Sequence, residues 1–170
     1  MTSSDIRIRQ AEPTDFPEVA EMHYAVWRRS WAGILTAPVL DILGPAKRWA
    51  ADVYPQTLNR DGWSMWVAES GGRAVGVAIF GPDVANPDEV QIDALYIAEQ
   101  SQRHGVGGLL LEKVLSLNPS NDVILWCAER NAKARCFYEK NHFHADGRTL
   151  VWEPLPGIRV DHDGYRLRRR

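Results

Sequence analysis

The chain is short of whatever would staple, anchor or charge it strongly. Its 170 residues include two cysteines, Cys127 and Cys136. That is too few for a disulfide framework, and no C-x-x-C or clustered Cys/His spacing points to a metal. Both are expected to be reduced core thiols. No apolar run approaches the roughly 20 residues a membrane span needs. The opening residues, with Asp5, Arg7 and Arg9, lack the apolar stretch of a secretion signal, so the expected location is cytoplasmic. A formal net charge of -2 leaves no basic excess for nucleic acid. The closing arginines, Arg166, Arg168, Arg169 and Arg170, read as a solvated end. Repeats and low-complexity segments are missing as well. With 45% apolar and 25% charged residues, the chain reads as one globular domain over 1–170. Residues 154–170 form a less certain tail, interrupted by Pro154, Pro156 and Gly157.

What the chain does contain is a strand, a glycine turn and a helix in that order. The strand candidate Ile92 to Ala98 is followed by Gln102-Arg103-His104-Gly105-Val106-Gly107-Gly108. After it, Val106, Leu110, Leu111, Val114 and Leu115 recur at helical spacing. Glycines let several backbone N–H groups converge on one spot, and the helix adds the positive end of its dipole there. Such a spot suits a phosphate or pyrophosphate. No Lys follows the glycines, which argues against a Walker-type nucleotide loop. Leu110 stands where the dinucleotide fingerprint needs its last glycine.

A second block runs from Trp126 to Phe143: a strand ending before Asn131, then Ala134-Arg135-Cys136-Phe137-Tyr138-Glu139-Lys140. Together the two blocks resemble the GNAT superfamily of N-acetyltransferases, with [QR]-x-x-G-x-[GA] first and A-R-x-F-Y-E-K-x-G-F later. His142 replaces the usual Gly before Phe143. The resemblance covers roughly the central third of the chain and implies acetyl-coenzyme A as cosubstrate. It implies that the pantetheine arm lies along Leu95-Tyr96-Ile97 and that the pyrophosphate meets the turn from Gln102 through Arg103, His104, Gly105, Val106 and Gly107 to Gly108. Asn131 is a good N-cap for its helix, and by resemblance also bonds the cofactor. Tyr138 matches the acid that protonates the leaving thiolate; without the motif it reads as a packed helix tyrosine.

Elsewhere, Ile6 to Arg9 alternates as a strand. Asp15 with Glu18 offers a capping-box start to a helix whose stripe is Val19, Met22, His23, Val26 and Trp27. The run Ala25 to Leu35 resembles the part of the family that holds the amine, which makes Trp27 and Trp31, with His23 just before them on the same stripe, candidate substrate contacts. A histidine on such a stripe is more often a hydrogen-bonded, partly buried residue than a substrate ligand. Trp27, Trp31, Trp63 and Trp66 could cage an amine or fill a core. A short helix starts near Pro38, and another spans Ala46 to Leu58 with Trp49 and Val53 inward. Trp63 to Glu69 and Ala74 to Phe80 alternate about a Gly71-Gly72 turn. Further strands are expected from Glu89 to Ala98 and from Val123 to Ala128. Phe143 to Ala145 and Thr149 to Glu153 read as a last hairpin turning at Asp146-Gly147. This is an α/β order: a mixed, mostly antiparallel sheet with helices on both faces, as in the GNAT fold.

Acyl transfer to an amine needs a neutral amine, a stabilised oxyanion and a protonated leaving thiolate. Gln91 stands where many members of the resembled family carry a catalytic Glu, and it cannot titrate. Glu89 and Asp93, two residues to either side, are equal candidates for the base, with His23 behind them. The expected acceptor is a small-molecule amine or a protein amino group, without nucleic acid or membrane as partner, and a homodimer is left open. Two other classes remain: a non-catalytic acyl-coenzyme A-binding module, and a protein used only for contacts. Retained Tyr138 favours catalysis; the intact glycine turn disfavours the last.

Overall fold

One seven-stranded sheet, in the order β1-β2-β3-β4-β5-β7-β6, organises the computed structural model, which describes residues 6–169. The strands are β1 (Arg7–Gln10), β2 (Ser64–Ser70), β3 (Arg73–Pro82), β4 (Val90–Ile97), β5 (Val123–Ala128), β6 (His144–Leu155) and β7 (Ile158–Leu167). Every neighbouring pair is antiparallel except β4 with β5. Strand β3 is buried along nearly its whole length, as expected of a central strand covered on both sides. Its alternation sorts the two cores. Ala78 and Phe80 pack with Val106, Leu110 and Val114 of α5 (Val106–Leu117). Val77 and Ile79 pack with Val19 and Ala20 of α1 (Phe16–Trp31). Helix α6 (Ala132–Lys140) joins the first core through Tyr138; Cys127 is buried as expected, but Cys136 on α6 is exposed rather than in the core. The expected mixed sheet with helices on both faces is therefore present.

Local chemistry explains several joints. Gly71 and Gly72 both take positive φ, 57° and 74°, in the two-residue turn between Ser70 and Arg73, the combination that matches the strand twist of a tight hairpin. Asp15 does not pair with Glu18 as a capping box. Its carboxylate instead accepts from the Glu12 N–H at 2.7 Å and from Arg9, while Glu18 accepts from the Ala74 N–H across the β2–β3 turn.

After α2 (Ala37–Leu43), the expected helix over Ala46 to Leu58 is composite: α3 (Ala46–Arg48), a π-helical turn Trp49–Val53, and α4 (Tyr54–Leu58). The wider turn breaks the 3.6-residue spacing. Trp49 remains packed between two cores, whereas Val53, expected inward, is 38% exposed.

The C-terminal expectation needs the largest correction. Asp146-Gly147 is no hairpin turn: it is an irregularity inside β6, where the pairing skips between Ala145 and Thr149. Gly147 has φ 83°, so it supplies a bulge rather than a reversal. The reversal comes between β6 and β7, where Gly157 has φ 78° and its N–H bonds Glu153. What reads as a tail is β7, inserted between β5 and β6.

Nor is Arg166 solvated. It contacts Glu89, Asp122 and Asp146 at once, with its side chain 18% exposed. Asp122 also accepts from the Arg169 N–H at 2.8 Å, and Arg170 lies outside the described residues. One guanidinium thus ties the starts of β4 and β5 to β6 and β7. Replacing Arg166 by Leu leaves half-buried Glu89 and Asp122 without a side-chain cation, and Asp146 with Arg148 alone. It should lower unfolding free energy by about 1–3 kcal/mol, measured by urea denaturation at pH 7. An unchanged midpoint would mean the cluster contributes nothing.

Candidate active site

The site begins where two strands part. β4 and β5 pair only at Val90↔Val123, Gln91↔Ile124 and Ile92↔Leu125. On the other side of β4, Ile92 faces Phe80 and Ala94 faces Ile79, so Asp93 is an extra, bulged residue, and a bulge bends its strand. β5 meanwhile follows β7 as far as Ala128↔His162. A cleft of about 520 Å³ opens between them, lined by Leu95, Tyr96 and Ile97 on one side and by Trp126, Cys127 and Tyr138 on the other. Beyond Ile92 the edge of β4 facing β5 has no ladder partner, so its main-chain groups are available to a ligand.

The glycine turn closes one end of this groove. Gln102 donates from Nε2 to the Ile97 carbonyl at 2.9 Å, pinning the turn to the strand. Arg103 and Gly105 take φ of 65° and 83°, and Gly105 is the left-handed residue from which α5 starts. A Cβ on Gly107 would stand 3.1 Å from the Phe137 ring, so its lack of a side chain is what lets α5 approach α6 here. Arg103, Gly105, Gly107 and Gly108 line the groove, and so does Lys133, whose ammonium bonds Gln102 Oε1. His104 points to solvent and Val106 into the core, so neither offers a side chain to the groove. Asn131 caps α6, its Oδ1 accepting from the Ala134 N–H at 3.1 Å, and also lines the groove.

A second cleft, of about 550 Å³, lies against α1 and the π-helical turn. It shares Trp31, Asp93, Tyr96, Trp126 and His162 with the first, so the two meet at the parted strands. His23 and Trp27 line the second cleft, and Trp31 stands at the junction. Trp63 and Trp66 lie elsewhere: Trp63 packs on Gly81 in the α1-side core, and Trp66 lies under Lys113.

His23 bonds the Tyr54 hydroxyl at 2.9 Å, and burial depresses its pKa from 6.5 to about 3. It is therefore a neutral ring, hydrogen-bonded and buried. Tyr96 accepts from the Trp31 indole at 3.4 Å, and its pKa is pushed up to about 12, chiefly by burial.

The two strand carboxylates are separated. Glu89 is held by Arg166 before β4 begins and lines neither cleft. The bulge cancels the period-two spacing that put it on the face of Asp93. Asp93 lines both clefts and is exposed to them, and partial desolvation by the surrounding walls raises its pKa against the opposing charge of Arg60. The Tyr138 hydroxyl makes no hydrogen bond within the described residues and is not sealed from the cleft. Burial raises its pKa, followed by the proximity of Tyr96 and Cys127, so it keeps its proton.

Comparison with known proteins agrees with this geometry. Residues 61–145 match the family described as "Acetyltransferase (GNAT) domain". The chain is 62% identical to "Probable N-acetyltransferase Rv2775" of Mycobacterium tuberculosis over 99% of its own length and 97% of the relative's. The chain belongs to the GNAT N-acetyltransferases. Among solved structures, the fold resembles the PaiA N-acetyltransferase of Thermoplasma acidophilum in complex with coenzyme A. That match has a TM-score of 0.72 at 17% identity, covering 93% of this chain and 97% of that one. It also resembles the ribosomal-protein-S18-alanine N-acetyltransferase of Escherichia coli, with a TM-score of 0.68 at 19% identity over 95% and 92%. No helix among the described residues of this GNAT enzyme is long and apolar enough to cross a membrane.

Sequence reasoning missed Lys133, Trp126, Trp152 and His162 in the GNAT site. Lys133 sits one turn before Phe137 on α6, a helical spacing that would have aimed it at the same groove. Trp152 lay in a strand read as pairing across Asp146-Gly147 rather than with β7, and His162 lay in the segment read as a tail.

The neutral state of His23 has a signed consequence. Its folded pKa is depressed, so below about pH 6.5 the unfolded chain binds a proton that the native ring does not. Stability from this residue is complete above pH 6.5 and is lost as pH falls towards 3. The slope is at most about 1.4 kcal/mol per pH unit. Urea titrations at pH 7 and 5.5 should show this loss in the wild type and a flatter dependence in His23→Asn. Equal slopes would mean another group is responsible.

Proposed function

We propose that this GNAT enzyme transfers an acetyl group from acetyl-coenzyme A to a primary amine of a small molecule or protein. The observation carrying this reading is the shared wall of the two clefts, because direct transfer requires donor and acceptor to meet side by side. The donor groove fits its ligand on three counts. The free edge of β4 offers main-chain partners to the amides of an extended arm. Gly105, Gly107 and Gly108 leave room for close backbone approach at the start of α5. Arg103 and Lys133 add positive charge beside that helix start. Acetyl-coenzyme A supplies an activated thioester carbonyl with a thiolate as leaving group.

Three jobs then fall to this chain. Asp93 is the candidate base: it is the carboxylate common to both clefts, and its raised pKa makes it a better proton acceptor once ionised. Activity therefore rises with pH as Asp93 and the amine lose protons. Main-chain N–H groups on the unpaired edge of β4 can stabilise charge on the carbonyl oxygen. Tyr138 holds a proton at Oη throughout the working range and donates a hydrogen bond to the departing sulfur. Glu89 is not proposed for a chemical role, since Arg166 engages it.

Tyr138→Phe removes one hydroxyl and little volume. Turnover measured as thiol release should fall roughly 10²- to 10⁴-fold, with the melting temperature and acetyl-coenzyme A affinity retained. A fully active Tyr138→Phe protein would remove Tyr138 from the mechanism and leave it a packing residue.

A further inference from the structure

We propose that the acceptor is an arylalkyl primary monoamine without a carboxylate, a phosphate or a second amine; the inference rests on the acetyl-transfer reading above. Five of the chain's seven tryptophans, Trp27, Trp31, Trp49, Trp126 and Trp152, line the acceptor cleft. Their rings brace one another: Trp27 and Trp49 meet at 5.3 Å and 77°, and Trp31 and Trp152 at 5.2 Å and 68°. Edge-to-face contacts of this kind hold the walls rigid. At the mouth, Val53 and Leu150 are 38% and 41% exposed, so an apolar edge faces water until something apolar covers it. The cleft takes a molecule with one ring and a short chain.

Charge narrows the class. Asp93 is the one carboxylate in this lining, which contains no Lys or Arg. His23 is neutral, held by Tyr54. Two nearby arginines are engaged outside the lining: Arg148 bonds Asp146 and lies over Trp126, and Arg60 lies over Trp63. An ammonium is therefore welcomed by one carboxylate and by ring faces. An acidic group on the same molecule finds no Lys or Arg in the lining and is repelled by Asp93, whose charge Arg60 offsets only in part, and a second ammonium finds no second acid there. An extended peptide would bring a row of amide groups against a mainly aromatic wall, where Thr57 and Gln91 beside Asp93 could pair only a few of them.

The test uses the full chain with four probes: phenethylamine, phenylalanine, spermidine and a short peptide with a free N-terminus. Binding is read by calorimetry without donor, and turnover by thiol release with acetyl-coenzyme A. Phenethylamine should exceed each of the others in kcat/KM by about tenfold or more. Asp93→Asn should weaken phenethylamine binding about tenfold while leaving neutral phenethyl alcohol unaffected, a charge-specific change that a merely structural role would not produce. Preferred turnover of spermidine, phenylalanine or the peptide would overturn the inference and uphold acetyl transfer. Binding of phenethylamine with the expected Asp93 dependence but no thiol release would uphold the acceptor chemistry and count against acetyl transfer. Absence of phenethylamine binding would overturn the inference outright.

Discussion

The divergence of β4 from β5 is the constraint on which the rest of the molecule depends. Two parallel strands remain paired only while their hydrogen-bonding edges stay in register, and here that lasts three residues. The bulge at Asp93 turns β4 away on one side, and β7 holds β5 on the other for six residue pairs. The closed end is fastened by Arg166 across the starts of both strands. An open edge inside a sheet would ordinarily be a liability, with unpaired main-chain groups facing a cleft. A ligand that is itself rich in amides would convert that liability into a binding surface.

Desolvation gives the junction a consistent electrostatic character. The phenols of Tyr96 and Tyr138 are shifted upward, the Cys127 thiol is pushed up to about 11, and Asp93 is raised as well. Each shift has desolvation as its largest cause, which disfavours the charged form of every one of these groups relative to water. Protonated phenols can donate, and a carboxylate of raised pKa can accept. A thiol held protonated at the groove floor is a poor nucleophile. The arrangement favours direct transfer between two bound molecules over an acyl-enzyme on Cys127.

What was legible in the sequence was whatever short-range chemistry dictates. The glycine turn from Gln102 to Gly108 could be read because φ signs, helix starts and backbone access are local properties. The cap at Asn131 and the position of Tyr138 on its helix could be read for the same reason. Long-range pairing was not legible. Asp146-Gly147 carries a strong turn signal, yet the bulge takes its place because β7 lies opposite, with Gly164 leaving space for Asp146 and Arg148: a Cβ there would stand 2.7 Å from Asp146 Oδ1. Glu89 and Asp93 shared a face only if the strand was regular, and one bulged residue removed that symmetry. The aromatic acceptor wall was hidden because its members come from α1, the π-helical turn, β5, β6 and β7, which no window of sequence brings together.

Initial rates measured while both acetyl-coenzyme A and a turned-over amine are varied test most directly whether donor and acceptor occupy adjoining clefts at once. Direct transfer across the wall formed by Trp31, Asp93 and Tyr96 requires both to be bound together, so double-reciprocal plots should give intersecting lines and no acetyl group should remain on the protein. Parallel lines, with an acetylated enzyme recovered before amine is added, would contradict it.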